Sequence, residues 1–284
     1  MDRVPVFYTP LQVVNDDVGI SPSARKPAAV VASWQTLGLP IQILKPTLAT
    51  VADFERAHDP DHVRAVLTRR HPNGFGNRLE SVAKSLPWTT GSLLTAARYV
   101  LAAPDRPVAV SPTSGFHHAG YDSCEGFCTF NGLMVTVLAL QNERPGLRVG
   151  ILDCDAHYGN GTVNIIERRN VGNVQHYTFG GEGVRRETSS RWIRRFPDVL
   201  QRFAGCDILL YQAGADPHVD DPLGGSLTTA QLLERDRVVF EGARALKIPI
   251  VWNLAGGYQQ PLRKVLDLHD NTMRACVAAF VAGV

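Results

Sequence analysis

Four short apolar runs, separated by segments with helical periodicity, constrain the fold of this 284-residue chain more than any other feature. Runs of this length predict buried strands, and strands that alternate with helices form βαβ units. The order therefore predicts an α/β fold with a mostly parallel sheet that helices cover on both faces. The apolar runs are residues 107–110, 147–152, 207–211 and 248–254, with 173–179 as a weaker fifth. The predicted helices are residues 92–101, 133–141, 230–246 and 262–282.

The composition fits one large globular domain over residues 1–284, with 44% hydrophobic and 20% charged residues. The formal net charge is +2, and no basic run with interleaved aromatic residues occurs. A nucleic-acid partner therefore has no electrostatic support. One group of arginines is interpreted instead as a solvated helix face. Its members are Arg185, Arg186, Arg191, Arg194 and Arg195.

The expected compartment follows from the ends and the cysteines of the sequence. The chain begins without the uninterrupted apolar core of a signal peptide, and no apolar stretch reaches transmembrane length. Its five cysteines form no Cys-x-x-Cys pair, which argues against a disulfide framework and against a cysteine-based zinc site. We therefore expect a cytoplasmic protein with no membrane partner.

Each of the four strong apolar runs is followed at once by a polar or glycine-rich segment. In open α/β sheets, ligands bind outside the carboxyl ends of the strands, so these segments are expected to line one crevice. Four coincident signals of this kind are hard to explain by chance. The segments are residues 111–118, 153–162, 213–218 and 255–258.

The second segment begins with Asp153-Cys154-Asp155-Ala156-His157. In an extended chain, alternate side chains share a face, so Asp153, Asp155 and His157 can point the same way. Two carboxylates and an imidazole are costly to desolvate unless something compensates their charge. A divalent metal ion would do so. Alternatively, the carboxylates cap the following helix and the histidine is satisfied locally.

Asp216, in the third segment, supplies a third candidate ligand beside Asp155 and His157. Catalytic metal sites commonly carry three protein ligands and leave one position open for water or substrate. The alternative is an ordinary turn, since Asp-Pro pairs initiate turns. Asp153 would then stand behind the ligands, either as an outer group or as a ligand of a second, monovalent cation.

The first segment contains the adjacent pair His117-His118. Beside an activated water, one imidazole can accept a proton while the other donates one to the leaving group, which requires different pKa values. Asp153 is the expected partner of His117, and Asn160 is that of His118. A carboxylate partner makes an imidazole more basic than a neutral amide does. The alternative is an exposed pair that is inert or binds metal adventitiously.

The fourth segment ends in Tyr258, directly after Gly256-Gly257, where the backbone can approach a ligand closely. A phenol delivered by such a loop can stabilise the oxyanion of a tetrahedral intermediate, although an ordinary aromatic packed on a loop has the same sequence pattern. Gly126 and Phe127 are expected to line the approach to the site, and Gly256 to contact the substrate. Phe127 is either a channel wall or part of the core.

In combination and order, these segments resemble the zinc-dependent histone deacetylase family, which includes acetylpolyamine amidohydrolases and acetoin-utilisation proteins. The resemblance covers nearly the whole chain and points to a bacterial-type, class II-like member. The motifs that carry it are Val6-Phe7-Tyr8, His58-Asp59-Pro60-Asp61-His62-Val63, Gly115-Phe116-His117-His118-Ala119, Gly126-Phe127-Cys128-Thr129-Phe130-Asn131, residues 153–162, residues 214–224 and Leu254-Ala255-Gly256-Gly257-Tyr258.

The resemblance implies an arginase-deacetylase-like fold with three layers, α/β/α, around a mostly parallel central sheet. It also implies zinc on Asp155, His157 and Asp216. The Asp/His/Asp set by itself suits ferrous iron as well as zinc.

The catalytic roles are likewise implied by the resemblance. They are proton transfer by His117 and His118 and polarisation of the amide carbonyl by Tyr258. The family further implies a structural potassium ion. The residues expected around that ion are Asp153, Asp155, His157 and Thr178.

Three positions depart from the family pattern. Tyr158 stands where many members have a second histidine, and Ala255 stands where glycine or glutamate is more usual. Asn160 replaces the aspartate of other members, which is typical of class II-like proteins and leaves His118 less basic. The chain also shows no clear counterpart of the long dimerising insertion of acetylpolyamine hydrolases, which weakens a polyamine assignment and leaves the oligomeric state open.

The sequence therefore predicts a metal-dependent amidohydrolase that removes an acyl group, expected to be acetyl, from acyl-lysine or a small acylated amine. An acetylpolyamine or other small-molecule deacylase is an alternative. A dinuclear manganese ureohydrolase on the same fold is less favoured, because Gly159 and His218 occupy the positions of its second-metal ligands. Retention of every catalytic residue type argues against a non-catalytic acyl-ligand binder.

Overall fold

Seven strands form one sheet in the computed structural model, which describes residues 1–281. The strands are β1 Val4–Phe7, β2 Ile41–Leu44, β3 Val108–Ser111, β4 Val149–Asp153, β5 Val174–Thr178, β6 Ile208–Gln212 and β7 Ile250–Asn253. Their order across the sheet is β2-β1-β3-β7-β6-β4-β5, and every neighbouring pair runs parallel. This sheet is wholly parallel, where the sequence predicted a mostly parallel one.

Helices cover both faces of the sheet within the described residues. They are α1 Lys26–Thr36, α2 Val51–Ala57, α3 Pro60–Leu67, α4 Glu80–Leu101, α5 Gly132–Glu143, α6 Asn160–Arg168, α7 Arg186–Gln201, α8 Thr229–Ala245 and α9 Arg263–Phe280. Helices α1, α7, α8 and α9 share a core with one face of the sheet, and α2 to α6 share a core with the other. This is the three-layer α/β/α arrangement that the family resemblance implied.

Strand β6 shows why continuous apolar runs become the inner strands of this sheet. All of its residues are buried. Leu209 and Tyr211 belong to the core beneath α7, α8 and α9, while Ile208 and Leu210 belong to the opposite core. A parallel strand that is covered on both faces needs apolar side chains at every position. Its sequence is therefore a continuous apolar run and not an alternation of apolar and polar residues.

The sequence located β3 to β7 to within two residues at each end and missed β1 and β2. Those two strands have only four residues each, and β2 is a partly exposed strand at the edge of the sheet. The predicted helices 133–141 and 230–246 correspond to α5 and α8, and 92–101 is the second half of α4. The predicted helix 262–282 corresponds to α9, and residue 282 lies outside the described residues.

The strand order brings the four polar segments together. Strands β3, β7, β6 and β4 are consecutive neighbours in the sheet, and each is followed by one of these segments. Because all four strands run in the same direction, their carboxyl ends meet along one edge. The segments that are expected to line a crevice therefore lie at the centre of that edge.

Helix α7 carries most of the arginine group on its solvent face. Trp192, Phe196 and Leu200 are buried against the core, whereas the five arginines are exposed. This agrees with the interpretation of a solvated helix face. Across residues 1–281, no helix combines the length and the apolar character needed to cross a membrane.

Candidate active site

Three side chains converge where the neighbouring strands β4 and β6 end. The Nδ1 atom of His157 lies 2.9 Å from Oδ1 of Asp155 and 3.0 Å from Oδ2 of Asp216. One donor atom from each residue falls within 4.8 Å of the others. Both aspartates are buried and His157 is partly exposed, so the cluster is closed on the aspartate side and accessible at the histidine.

The charges of this cluster fit a bound cation. Burial and the nearby charge of Asp155 raise the pKa of Asp216, whose Oδ1 atom has no hydrogen-bond partner. Hydrogen bonds to both carboxylates raise the pKa of His157 to about 11, which favours an extra proton on this ring in the metal-free protein. A divalent ion would replace that proton and satisfy the free oxygen. The oxygen, nitrogen and oxygen donors suit zinc or ferrous iron.

Backbone groups and one buried arginine hold the cluster in place. The N–H of Gly256 donates to Oδ2 of Asp155 at 2.9 Å, and a Cβ atom at Gly256 would lie 2.8 Å from that same oxygen. Only glycine lets the backbone after β7 come this close to the carboxylate. Arg235 donates to the carbonyl oxygens of Cys154 at 3.2 Å and Gly214 at 2.7 Å, which ties together the two loops that carry the cluster.

His117 lies next to the cluster and is bonded to its expected partner. Its Nδ1 atom is 2.7 Å from Oδ2 of Asp153, and its Nε2 atom is 3.6 Å from Oδ1 of Asp155. The other oxygen of Asp153 accepts a hydrogen bond from Gln212 at 2.9 Å. Burial alone would lower the pKa of His117, but the charges of the surrounding aspartates, Asp153 first, outweigh burial and raise it to about 9.

This shift makes the stability of the metal-free protein depend on pH. His117 has an ordinary pKa of 6.5 and a folded-state pKa of about 9, so the folded chain binds more protons than the unfolded chain between these values. Its contribution to the free energy of unfolding is fully present below pH 6.5 and is lost as the pH rises through about 9. We expect Asp153→Asn to flatten this part of the pH dependence, as measured by urea unfolding with a chelator present. If the free energy of unfolding changed equally with pH in both proteins, Asp153 would not be the cause of the raised pKa of His117.

His118 has a different environment from its neighbour. Its Nδ1 atom is 2.6 Å from Oδ1 of Asn160, and its ring centroid is 4.0 Å from that of His117. Burial and the positive charge of His117 lower the pKa of His118. The adjacent histidines therefore have pKa values shifted in opposite directions, which favours a charged His117 beside a neutral His118.

Tyr258 reaches the site on the loop after β7. Its backbone N–H donates to Oδ2 of Asp221 at 2.7 Å. Burial and then the charge of Asp155 raise the pKa of its phenol, so the hydroxyl stays protonated and can donate. The ring of Phe127 lies 5.7 Å from that of Tyr258, centroid to centroid, and is partly exposed. Phe127 is therefore not a fully buried core residue, and its place as a wall of the approach to the site stays a prediction.

The residues expected around potassium also lie together. Asp153 and Thr178 are aligned partners on β4 and β5, and Oγ1 of Thr178 accepts the N–H of Gly159 at 3.1 Å. The backbone N–H of Asp155 donates to Oδ1 of Asp153 at 3.1 Å. A potassium ion at this place stays a prediction.

Two residues that shape the site were missed in the sequence. Lys26, at the start of α1, is fully buried, and its Nζ atom donates to the carbonyl oxygens of Ala255 at 2.6 Å and Gly256 at 3.0 Å. Burial lowers the pKa of Lys26 to about 8, against the opposing charges of nearby carboxylates. Asp221 holds the N–H of Tyr258. Both residues anchor the loop that carries Tyr258; no local pattern marks Lys26, and Asp221 lies within the motif of residues 214–224 without being singled out there.

The parallel sheet, with an Asp/His/Asp cluster and a histidine pair at its carboxyl edge, defines an α/β protein of the arginase-deacetylase class. The family model described as the histone deacetylase domain matches residues 23–182, which is more than half of the chain. The chain therefore belongs to the histone deacetylase family, and the resemblance seen in its motifs is confirmed.

Curated relatives cover this chain to different extents. An uncharacterized protein of Picosynechococcus is 27% identical over 265 residues, which cover 83% of this chain and 85% of the relative. Histone deacetylase 2 of Arabidopsis thaliana is 28% identical over 193 residues, 61% of this chain and 50% of that protein. Acetylpolyamine amidohydrolase of Mycoplana ramosa is 27% identical over 176 residues, which cover 51% of this chain and 50% of that protein. The chain thus matches about half the length of the latter two relatives.

Crystal structures show the same fold. The HDA15 HD domain has a TM-score of 0.78 at 20% identity, over 99% of this chain and 90% of that one. An acetylpolyamine aminohydrolase from Burkholderia pseudomallei has a TM-score of 0.71 at 20% identity, over 98% of this chain and 99% of that one. At this level of identity, the similarity establishes the arginase-deacetylase fold and nothing beyond it.

Proposed function

We propose that the protein is a metal-dependent deacetylase that hydrolyses the amide of an acylated amine. One observation carries the proposal: two histidines with opposite pKa shifts and a protonated tyrosine accompany a buried Asp/His/Asp cluster. Membership of the histone deacetylase family supports the same reaction, since relatives are named as deacetylases and as an amidohydrolase.

The cluster of Asp155, His157 and Asp216 would hold zinc, with ferrous iron as the alternative. When bound, a divalent ion at this place would polarise an acyl carbonyl and lower the pKa of a nearby water molecule. The buried aspartates would supply the negative charge that retains the ion, and the substrate would approach from the side of the partly exposed His157.

The remaining groups move the proton and hold the developing charge. His118 is the neutral ring, so its Nε2 atom takes the proton from the attacking water and returns it to the departing amine. His117 keeps its own proton, which Asp153 stabilises, and places positive charge beside the reacting atoms. Tyr258 donates its hydroxyl hydrogen to the acyl oxygen as negative charge develops there.

The proposed substrate is acyl-lysine or a small acylated amine, with acetyl as the acyl group. The relatives named for histone deacetylation and for acetylpolyamine hydrolysis both act on acetylated amines. Gly126 and Phe127 would flank the chain of the acylated amine on its way to the site, and Gly256 would lie against the acyl group.

The test is an activity panel on protein of measured metal content. The panel contains acetyl-lysine peptides, longer acyl-lysine peptides, N-acetylputrescine and N-acetylspermidine. We expect release of acetate and free amine in equal amounts from at least one acetylated substrate, loss of turnover after chelation, and recovery on adding zinc. No turnover across the panel with fully loaded protein would contradict the enzyme and favour a non-catalytic acyl-ligand binder.

A dinuclear manganese enzyme is less compatible with the site. His218 uses both ring nitrogens elsewhere: Nε2 is 2.9 Å from Oγ1 of Thr229, and Nδ1 accepts the N–H of Asp220 at 3.1 Å. Gly159 has no side chain to offer a second ion. Two bound equivalents of manganese per chain would contradict the single-ion site.

A further inference from the structure

The side-chain amide of Asn160 lies between His118 and an exposed glutamate, Glu125. The Oδ1 atom of Asn160 is 2.6 Å from Nδ1 of His118, and its Nδ2 atom donates a hydrogen bond to Oε1 of Glu125. The three side chains thus form a relay that runs from the surface to the proposed base. Glu125 belongs to none of the polar segments that follow the strands.

The relay determines which nitrogen of His118 carries the proton. An ionised carboxylate can only accept hydrogen bonds, so Glu125 selects the NH₂ side of the Asn160 amide. The oxygen side must then face His118, and Nδ1 of His118 must be the donor. In the neutral ring, this leaves the lone pair on Nε2, the atom that accepts a proton in the proposed reaction.

We propose that Glu125 is a positioning residue that fixes the Nδ1–H tautomer of His118 through Asn160. The inference rests on the proposed function only in assigning His118 as the base. Without Glu125, the amide of Asn160 can turn over and donate from Nδ2 to Nδ1 of His118. The ring would then carry its proton on Nε2 and could not accept another there.

A comparison with His117 shows why only His118 needs a third residue to fix its tautomer. Its partner, Asp153, is a carboxylate, which accepts from Nδ1 in either orientation. Asn160 is an amide with one accepting and one donating side, so its orientation has to be decided by a third group. Because Asn160 is neutral, it leaves His118 less basic than a carboxylate would. Glu125 fixes the orientation that the amide of Asn160 would otherwise leave open.

The backbone holds Glu125 in the required place although its side chain is exposed. The N–H of Glu125 donates to the carbonyl oxygen of Cys128 at 3.1 Å, and the N–H of Cys128 donates back at 2.8 Å. The two central residues, Gly126 and Phe127, have φ of 55° and 64°, as in a tight turn with two left-handed positions. Gly126 lies directly against the ring of His118. The turn that presents Glu125 is therefore in contact with the ring that it orients.

The first experiment measures which ring nitrogen of His118 carries the proton. In protein with ¹⁵N-labelled histidine at about pH 8, where an ordinary imidazole is neutral, the two ring nitrogens have distinct chemical shifts. The signals of His118 are identified by their loss in His118→Gln. We expect protonated Nδ1 in the wild type and a mixture, or the opposite tautomer, in Glu125→Ala. Asp122→Asn is the matched control, because Asp122 is an exposed carboxylate of the same loop that pairs with Arg168 instead.

The second experiment measures turnover of the same variants. We expect Glu125→Ala to lower kcat by about three- to tenfold with little change in KM, because the loss of one solvent-exposed hydrogen bond shifts part of His118 to the unproductive tautomer. Glu125→Gln should also lower kcat, because its amide can either accept or donate and therefore no longer fixes the orientation of Asn160. On an Asn160→Asp background, which cannot present a donor to His118, Glu125→Ala should cause no further loss.

Protonated Nε2 in the wild type, or a tautomer that Glu125→Ala leaves unchanged, would overturn the proposal. An equal loss of activity from Glu125→Ala on both backgrounds would overturn it as well. A tautomer that changes while turnover does not would support the action of Glu125 on His118 and contradict the role of His118 as the base. The failure of the inference and that of the proposed function are thus distinguishable.

Discussion

Tyr258→Phe is expected to lower turnover of an acetyl-lysine substrate by about 10²- to 10³-fold, the cost of removing one oxyanion donor. Burial and the charge of Asp155 raise the pKa of the phenol, so in the proposed reaction it would act as a donor. The variant loses only the hydroxyl, and the loop keeps its anchor because the N–H of residue 258 still donates to Asp221. KM should change little, since the hydrogen bond strengthens as the reaction proceeds.

Metal content separates this role from a structural one. Both proteins should bind the same amount of zinc, because Tyr258 is outside the Asp/His/Asp cluster. Tyr99→Phe is a suitable control, since the ring of Tyr99 packs on Phe7 away from the site and should show wild-type turnover. Undiminished turnover in Tyr258→Phe, at full metal content, would remove Tyr258 from the proposed mechanism.

Asp216→Asn is expected to weaken metal binding by more than about 100-fold, because even changes beyond the direct ligands cost about 10- to 100-fold. Turnover should fall with the metal content. The asparagine oxygen can still accept the N–H of Ala156, which donates to Oδ2 of Asp216 at 3.2 Å. The loop should therefore keep its shape, so the loss would come from the missing charge.

When no metal is present, the same variant should be more stable than the wild type. Burial and the charge of Asp155 raise the pKa of Asp216, so the ionised side chain destabilises the metal-free fold above its ordinary titration range. We expect metal-free Asp216→Asn to have a higher Tm than the metal-free wild type at about pH 8, where an ordinary aspartate is fully ionised. Zinc should then raise the Tm of the wild type alone.

A nearby carboxylate provides the control for both measurements. Asp220→Asn changes an exposed aspartate of the same loop and should behave as the wild type in metal content and in Tm. An Asp216→Asn protein that retains full zinc content would exclude Asp216 as a ligand.

The sequence predicted the inner part of the fold because burial on both faces leaves a continuous apolar run. Strands β4 and β6 are of this kind, and the chemically unusual residues follow them directly. Asp155, His157 and Asp216 could therefore be grouped from the amino-acid sequence alone. The outer strand β2 carries a weaker signal, since it has only four residues and its two central positions, Gln42 and Ile43, are exposed.

Other parts of the site could not be predicted because their contacts are distant in sequence. Lys26 lies 229 residues from Ala255, whose carbonyl oxygen it binds, and a buried lysine has no local signature. Glu125 lies 35 residues from Asn160, in a loop that the motifs identify only through Gly126 and Phe127. Motifs identify the groups that react, whereas the groups that orient them depend on how the loops pack.

Hydrogen bonds within the site also connect residues that are far apart in the sequence. Hydrogen bonds link Ala156 to Asp216 over 60 residues and Gly256 to Asp155 over 101 residues. Contacts of this kind form only after β4, β6 and β7 have paired, because each closes a long loop of the unfolded chain. A partly folded chain that lacks the centre of the sheet therefore has no arrangement of ligands to offer. The fraction of a preparation that takes up one metal ion would thus count the molecules that have completed folding.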